Sequence, residues 1–246
     1  MVRRRLLELL CIILLVTGLM VLFYPQIHRF YVDRRTQNVV NEYMESYTTE
    51  PTVSEIAETI AIATEFVPQN DEKLWYSMEE YNKTIWNQKQ VGLNDTWTYE
   101  SPSFHLQDYG RSDEVFGILR IPALELEMPI YLGATWQHMA DGVAQLSQTS
   151  IPVGGINTNS VIAGHRGWKG ATYFKHLPDL KPGDQVEIVN PWMTLQYQVR
   201  ESKIIEPYDV KRIHIQENRD MITLLTCHPY ASGGRQRYLV YCDRVK

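Results

Sequence analysis

MITLLTCHPY (Met221–Tyr230), followed three residues later by GRQRYLVYC (Gly234–Cys242), is the stretch from which the fold can be read. The first run alternates with period two, which puts Thr223, Leu225 and Cys227 on one face of a strand and Ile222, Leu224 and Thr226 on the other. His228 and Pro229 break the ladder, so Cys227 sits where the strand opens into a loop. In the second run Arg237, Leu239 and Tyr241 share one face, and Tyr238, Val240 and Cys242 the other. Working outward, runs of the same kind recur at VFGILRI (Val115–Ile121), PIYL (Pro129–Leu132), SVIAG (Ser160–Gly164), QVEIV (Gln185–Val189) and TLQYQVRESKII (Thr194–Ile205). They are short, rich in β-branched residues, and separated by Pro, Gly, Asn and Asp. Brief helices are expected near Gln137–Leu146 and Thr172–His176. No β-α-β alternation of the parallel-sheet type is present. The pattern predicts a mainly β fold: a closed or nearly closed β-barrel of seven or eight strands with short helices.

The N-terminus is of a different character. Arg3, Arg4 and Arg5 precede LLELLCIILLVTGLMVLFY (Leu6–Tyr24), a run of the length needed to cross a bilayer as a helix. Basic residues on its N-terminal side predict a cytoplasmic tip and an outward-facing remainder. A cleaved signal peptide is the competing reading, but no small-x-small cleavage pattern follows the run. From Arg29 to about Gly92 the chain is polar and glycine-poor, with Tyr76, Met78, Tyr81, Ile85 and Trp86 approximating one helical face. A membrane-proximal helix, a looser segment around Pro51 and Pro68, and a second amphipathic helix are expected. The organisation read is 1–26 cytoplasmic tip and transmembrane anchor, 27–114 helical extension, and 115–246 β-barrel.

A formal charge of −5, with no Lys/Arg run outside the N-terminus, lacks the basic footprint that a phosphate backbone demands, so nucleic acid is not an expected partner. Of the three cysteines, Cys11 lies in the anchor, leaving Cys227 and Cys242 in the outward part. That is too few for a disulfide scaffold, and their spacing fits no zinc pattern. No cofactor is implied. Either the two pair, or at least one is kept as a thiol for chemistry.

A thiol at a strand end becomes a nucleophile when cationic groups favour its thiolate. His165, in the strand-to-turn stretch SVIAGHRGWKG, and Arg237, at the head of its strand, are candidates for that work. Arg235 has the same parity as Arg237 and is the alternative donor. Each residue also has a bland reading, as buried structural cysteine, hydrogen-bonded histidine or surface ion pair.

The same residues carry a family resemblance. TLLTCHPY (Thr223–Tyr230) resembles the TLxTC signature of sortases, SVIAGHRG (Ser160–Gly167) resembles their histidine motif, and RYLV (Arg237–Val240) their arginine strand. The likeness extends through GILRIPALELEMPIYLGA (Gly117–Ala134), GVAQLSQTSIPVGGINTNSVIAGHRG (Gly142–Gly167) and LKPGD (Leu180–Asp184), covering about Val115 to Val245. Within the family it is most similar to class C, the pilin polymerases.

The resemblance implies a closed eight-stranded barrel and a catalytic set of Cys227, His165 and Arg237. It also implies a membrane-anchored, extracellular transpeptidase that cleaves an LPxTG-type sorting signal after threonine through a Cys thioester. Transfer is then to an amine, for a pilus enzyme a pilin lysine. Partners are accordingly pilin or surface-protein substrates, and the cell membrane through the N-terminal helix. Class C enzymes often carry a lid with an Asp-Pro-aromatic motif; the nearest stretch is Asp95-Thr96-Trp97, with threonine in place of proline. His228 follows the cysteine where the family often has threonine, and is expected to be exposed and non-essential. The rival readings are a sortase anchoring proteins to the cell wall, a non-enzymatic tethered barrel with a Cys227–Cys242 disulfide, and a hydrolytic cysteine peptidase.

Overall fold

The computed structural model describes residues 2–48, 72–96, 101–111, 115–168 and 171–245. Eight strands occur among them: β1 (Val115–Ile121), β2 (Leu126–Leu132), β3 (Val143–Gln145), β4 (Thr158–Ala163), β5 (Gln185–Val189), β6 (Thr194–Ile205), β7 (Asp220–His228) and β8 (Gln236–Arg244). They close into a barrel in the order β1-β2-β3-β4-β7-β8-β6-β5. The β2–β3 and β4–β7 pairs are parallel and the others antiparallel. Closure leaves no unpaired sheet edge, and the expected mainly β closed barrel is what forms.

Strand alternation sorts the core into two layers. Ile162, Ile222, Leu224, Val240 and Cys242 join Leu119, Ile130, Ile188 and Tyr197 in the main cluster. Val161, Ala163, Leu225, Leu239 and Tyr241 point the other way, packing with Ile205, Ile213 and Met139. The second layer is the face that carries Cys227.

The helix expected near Gln137–Leu146 is instead two elements: α3 (Trp136–Asp141) and then β3. Thr135 caps α3, its Oγ1 accepting from His138 N at 3.1 Å. The chain then reverses at Gly142, where a Cβ would lie 2.5 Å from Pro129 O. Only a glycine passes that close to β2, and a three-residue strand is too short to show a period of its own.

The first helix, α1 (Val2–Thr48), runs unbroken from the apolar stretch through Pro25. It is long and apolar enough to cross a membrane. Its C-terminal part packs on the barrel. Val40 and Tyr43 are buried against Ile118 and Val189, Tyr43 OH donates to Phe116 O at 2.9 Å, and Arg35 pairs with Asp141 at 3.0 Å. The looser segment expected around Pro51 and Pro68 lies outside the described residues.

The second helix, α2 (Glu72–Asn87), buries Leu74, Trp75, Met78, Asn82 and Ile85. The buried face is therefore rotated from the one periodicity suggests, and Tyr76 is exposed. The reason is polar: the Asn82 amide donates to Ile151 O at 3.0 Å and accepts from Ile151 N at 2.8 Å. Apolar spacing is blind to an asparagine that earns burial by satisfying a backbone.

Candidate active site

Three adjacent strands build the site. β7 pairs in parallel with β4, Ala163 opposite Leu225, and antiparallel with β8, Cys227 opposite Arg237. Beyond the β4 ladder the pairing is continued by Gly164 N donating to Leu225 O at 3.0 Å and Thr226 Oγ1 donating to Gly164 O at 2.8 Å. Past the Ala163–Leu225 pair the chain runs on to His165, at the end of the sheet where β7 reaches Cys227. Residues paired across neighbouring strands share a face and the strands run about 4.8 Å apart, so the Arg237 guanidinium is on the thiol's side of the sheet. The structure pairs Cys227 with Arg237 and sets His165 on the turn that follows the neighbouring strand β4.

Each of the three is shielded. His165 is 8% exposed. Trp168 stacks on its ring at 4.5 Å and 11°, while Tyr173 meets it edge-on at 6.0 Å. Trp136 in turn braces Trp168 edge-on at 5.4 Å. Burial pulls the His165 pKa down to about 4. Cys227 is half-buried; burial raises its thiol, while the charges of Arg237 and Arg166 oppose that rise. Both shifts favour the neutral forms. Tyr173 also reaches away from the site, its hydroxyl donating to Ala140 O at 2.6 Å and feeling the charges of Asp33 and Arg35 on α1.

Arg237 is 7% exposed and is fixed by its own turn, Nη1 donating to Gly234 O at 2.5 Å and Gln236 O at 3.2 Å. Gly234 has φ +79°, and a Cβ there would sit 3.1 Å from Arg237 Nη1 and 3.2 Å from Cys227 Sγ. Gly234→Ala is therefore expected to displace both groups and strain the turn. Turnover should fall on the order of tenfold, checked by steady-state kinetics, with a Tm lower by a few degrees.

Arg235, the alternative donor, is exposed and precedes β8. The disulfide alternative is not realised: Cys227 and Cys242 are both free. Cys242 pairs opposite Ile222, five residues along β7 from Cys227 and on the reverse face, about 17 Å away by strand rise. His228 is half-buried rather than exposed, with Arg166 Nη1 2.7 Å from its Nδ1. Of the lid stretch, Asp95 is half-buried and Trp97 lies outside the described residues. Thr96, which replaces the proline, is buried and donates through Oγ1 to Pro207 O at 2.6 Å. Pro207 is two residues beyond Ile205, the β6 partner of Arg237, so this loop is tied down beside the arginine strand.

Sequence reasoning passed over Arg166, Trp168 and Gly234. Arg166 and Trp168 lie within three residues of His165 in the chain, but their contacts arise only when the turn after β4 folds back. The Gly233-Gly234 pair did signal a turn, without indicating that the thiol lies against it.

Fold and site together define a closed β-barrel protein with a cysteine-centred site on three neighbouring strands. A sortase-domain profile matches residues 119–245, just over half of the chain, and the chain belongs to the sortase family. Among curated relatives it is 30% identical over 131 residues to Sortase D of Bacillus subtilis (strain 168), covering 52% of this chain and 63% of that one. With Sortase A of Bacillus anthracis the figures are 27%, 54% and 60%, so the matches span less than two thirds of either relative's length. Among solved structures, Sortase C1 of GBS Pilus Island 1 superposes with TM-score 0.68 at 26% identity, covering 86% of this chain and 92% of that one. Sortase C-1 from Actinomyces oris superposes with TM-score 0.63 at 33% identity, covering 71% and 98%.

Proposed function

We propose that this protein is a membrane-anchored cysteine transpeptidase that joins pilin subunits. The observation that carries the reading is Cys227 paired with Arg237 at the end of β7, beside the strand that leads into His165. Cys227 Sγ attacks the carbonyl carbon of the threonine in an LPxTG-type sorting signal as its proton passes to the neutral His165 ring. The oxyanion that forms is met by Arg237, a permanent cation with directed donors. Collapse breaks the C–N bond, and the proton on His165 leaves with the departing glycine amine. A lysine amine of the next subunit then attacks the thioester, gives its proton to His165, and expels the thiolate. The product is an isopeptide bond.

The class C reading draws on coverage. The sortase C structure from GBS Pilus Island 1 aligns over 86% of this chain, and the sortase C structure from Clostridium perfringens SM101 over 85%. Those spans include part of the helical extension. The anchorage of Thr96 beside the arginine strand is in keeping with a lid role for the stretch that holds Asp95. The apolar part of α1 would span the membrane with Arg3–Arg5 inside and the barrel outside.

The test is to incubate the full-length chain in detergent with a pilin subunit bearing an LPxTG-type signal and to sequence the products by mass spectrometry. A threonine-to-lysine isopeptide cross-link is expected. Threonine joined only to a cell-wall peptide amine would make this a wall-anchoring sortase, and free threonine acid alone would make it a hydrolase.

A further inference from the structure

The reverse face of the same strands holds a second cluster. Arg166, the residue after His165, turns to the side opposite the thiol. Its Nη1 lies 2.7 Å from His228 Nδ1, and it donates to Cys227 O at 3.4 Å. Its guanidinium carbon is 5.9 Å from the centre of the Tyr238 ring, and Tyr238 is fixed through its hydroxyl, which donates to Ser202 Oγ at 2.8 Å. The His228 and Tyr238 rings are 5.9 Å apart. Arg166 Nε is buried without a hydrogen-bond partner, and among the described residues no carboxylate forms an ion pair with this side chain.

A half-buried guanidinium whose neighbours are a carbonyl, a neutral ring and a phenol keeps its full charge, and such an arrangement is costly. For Arg166 Nη1 to donate to His228 Nδ1, that nitrogen must be unprotonated; burial and the Arg166 charge both lower the His228 pKa and keep it so. The charge therefore sits one peptide behind the sulfur, on the side that Arg237 does not reach.

The geometry points to Arg166 as a positioning residue for the nucleophile: it pins the Cys227 carbonyl and the His228 ring from behind the sheet and holds a second positive charge at the thiol's back. This rests on the reading of Cys227 as nucleophile. Support from that side offsets part of the effect of burial, which raises the thiol. Two cations on opposite faces also favour a sulfur that ionises in place, since neither has to move when charge develops.

The experiment uses the full-length chain in detergent and follows iodoacetamide alkylation of Cys227 against pH, with peptide mass spectrometry to separate it from Cys11 and Cys242. For Arg166→Gln the profile should move to higher pH, with alkylation near neutrality roughly three- to tenfold slower. Arg166→Lys, which keeps the charge, should stay within about twofold of the parent. For both variants the loss in turnover should fall on kcat rather than KM. A parental profile for Arg166→Gln overturns the proposal, as does an Arg166→Lys profile displaced as far as that of Arg166→Gln; either leaves a strand-end clamp. Should Arg166→Gln not fold, Arg166→Met, which keeps an apolar stem against Tyr238, is read by the same criteria. If Cys227 of the parent resists alkylation at every pH, the nucleophile reading fails first and takes this one with it.

Discussion

Cys227→Ala is expected to abolish both the thioester and the cross-linked product, a loss of about 10⁴-fold or more in turnover, while Cys242→Ala leaves both in place. The asymmetry follows from where the two sulfurs point. Cys227 is half-buried at the end of β7 with Arg237 opposite. Cys242 is wholly buried in the main core, and burial drives its thiol far above the usual range, so it behaves as a small apolar side chain. Cys242→Ala should then cost stability, about 1 kcal/mol for a small cavity, with no change in mechanism. Trapping the thioester by mass spectrometry and comparing melting curves separates the two outcomes. Loss of product in Cys242→Ala with retention in Cys227→Ala would reverse the assignment.

The second large effect concerns His165. In the proposed mechanism, replacing it with glutamine removes the group that takes the thiol proton and returns it to the leaving amine, and turnover should fall about 10²- to 10⁴-fold. A linked stability effect needs no substrate. The folded pKa of His165 is about 4 against 6.5 for the free side chain, so between those values the unfolded chain binds a proton that the folded chain refuses. Stability must then rise with pH across that window, and acidification from pH 6.5 toward 4 removes it. The displacement corresponds to at most about 3 kcal/mol. The difference in unfolding free energy between parent and His165→Gln, measured by urea titration at pH 7 and pH 4.5, should shrink or reverse at the lower pH. A difference independent of pH would show that His165 titrates normally.

What could be read in the sequence depended on scale. β1, β5 and β6 have the predicted ends because each is a run of at least five residues with punctuation on both sides. β3 was invisible, being three residues long and defined by what Gly142 can approach. The three candidate site residues stood out through the sortase-like motifs that hold them, while strand parity added only that Cys227 shares a face with Leu225 and Arg237 with Leu239. Arg166 did not stand out. Parity says only that it faces away from His165, and nothing local reveals that the reverse face receives the carbonyl of Cys227. Asn82 was lost for a related reason: its value lies in matching the backbone of Ile151, sixty-nine residues later.

Tyr173 connects two levels of the molecule, its ring on His165 and its hydroxyl end within the field of Asp33 and Arg35 of α1. The reactive centre is therefore level with a helical turn that begins nine residues past Tyr24, the end of the apolar run. Were α1 to stand upright in a bilayer, 1.5 Å per residue would put that turn at most on the order of 15 Å above the bilayer surface. A client protein still held by its own membrane tail would need a spacer of about five extended residues to lift its scissile bond to that height. With α1 as the proposed membrane anchor, its stem, clamped to the barrel by Arg35, Val40 and Tyr43, would set the tether length that a proposed client needs before any side chain is recognised.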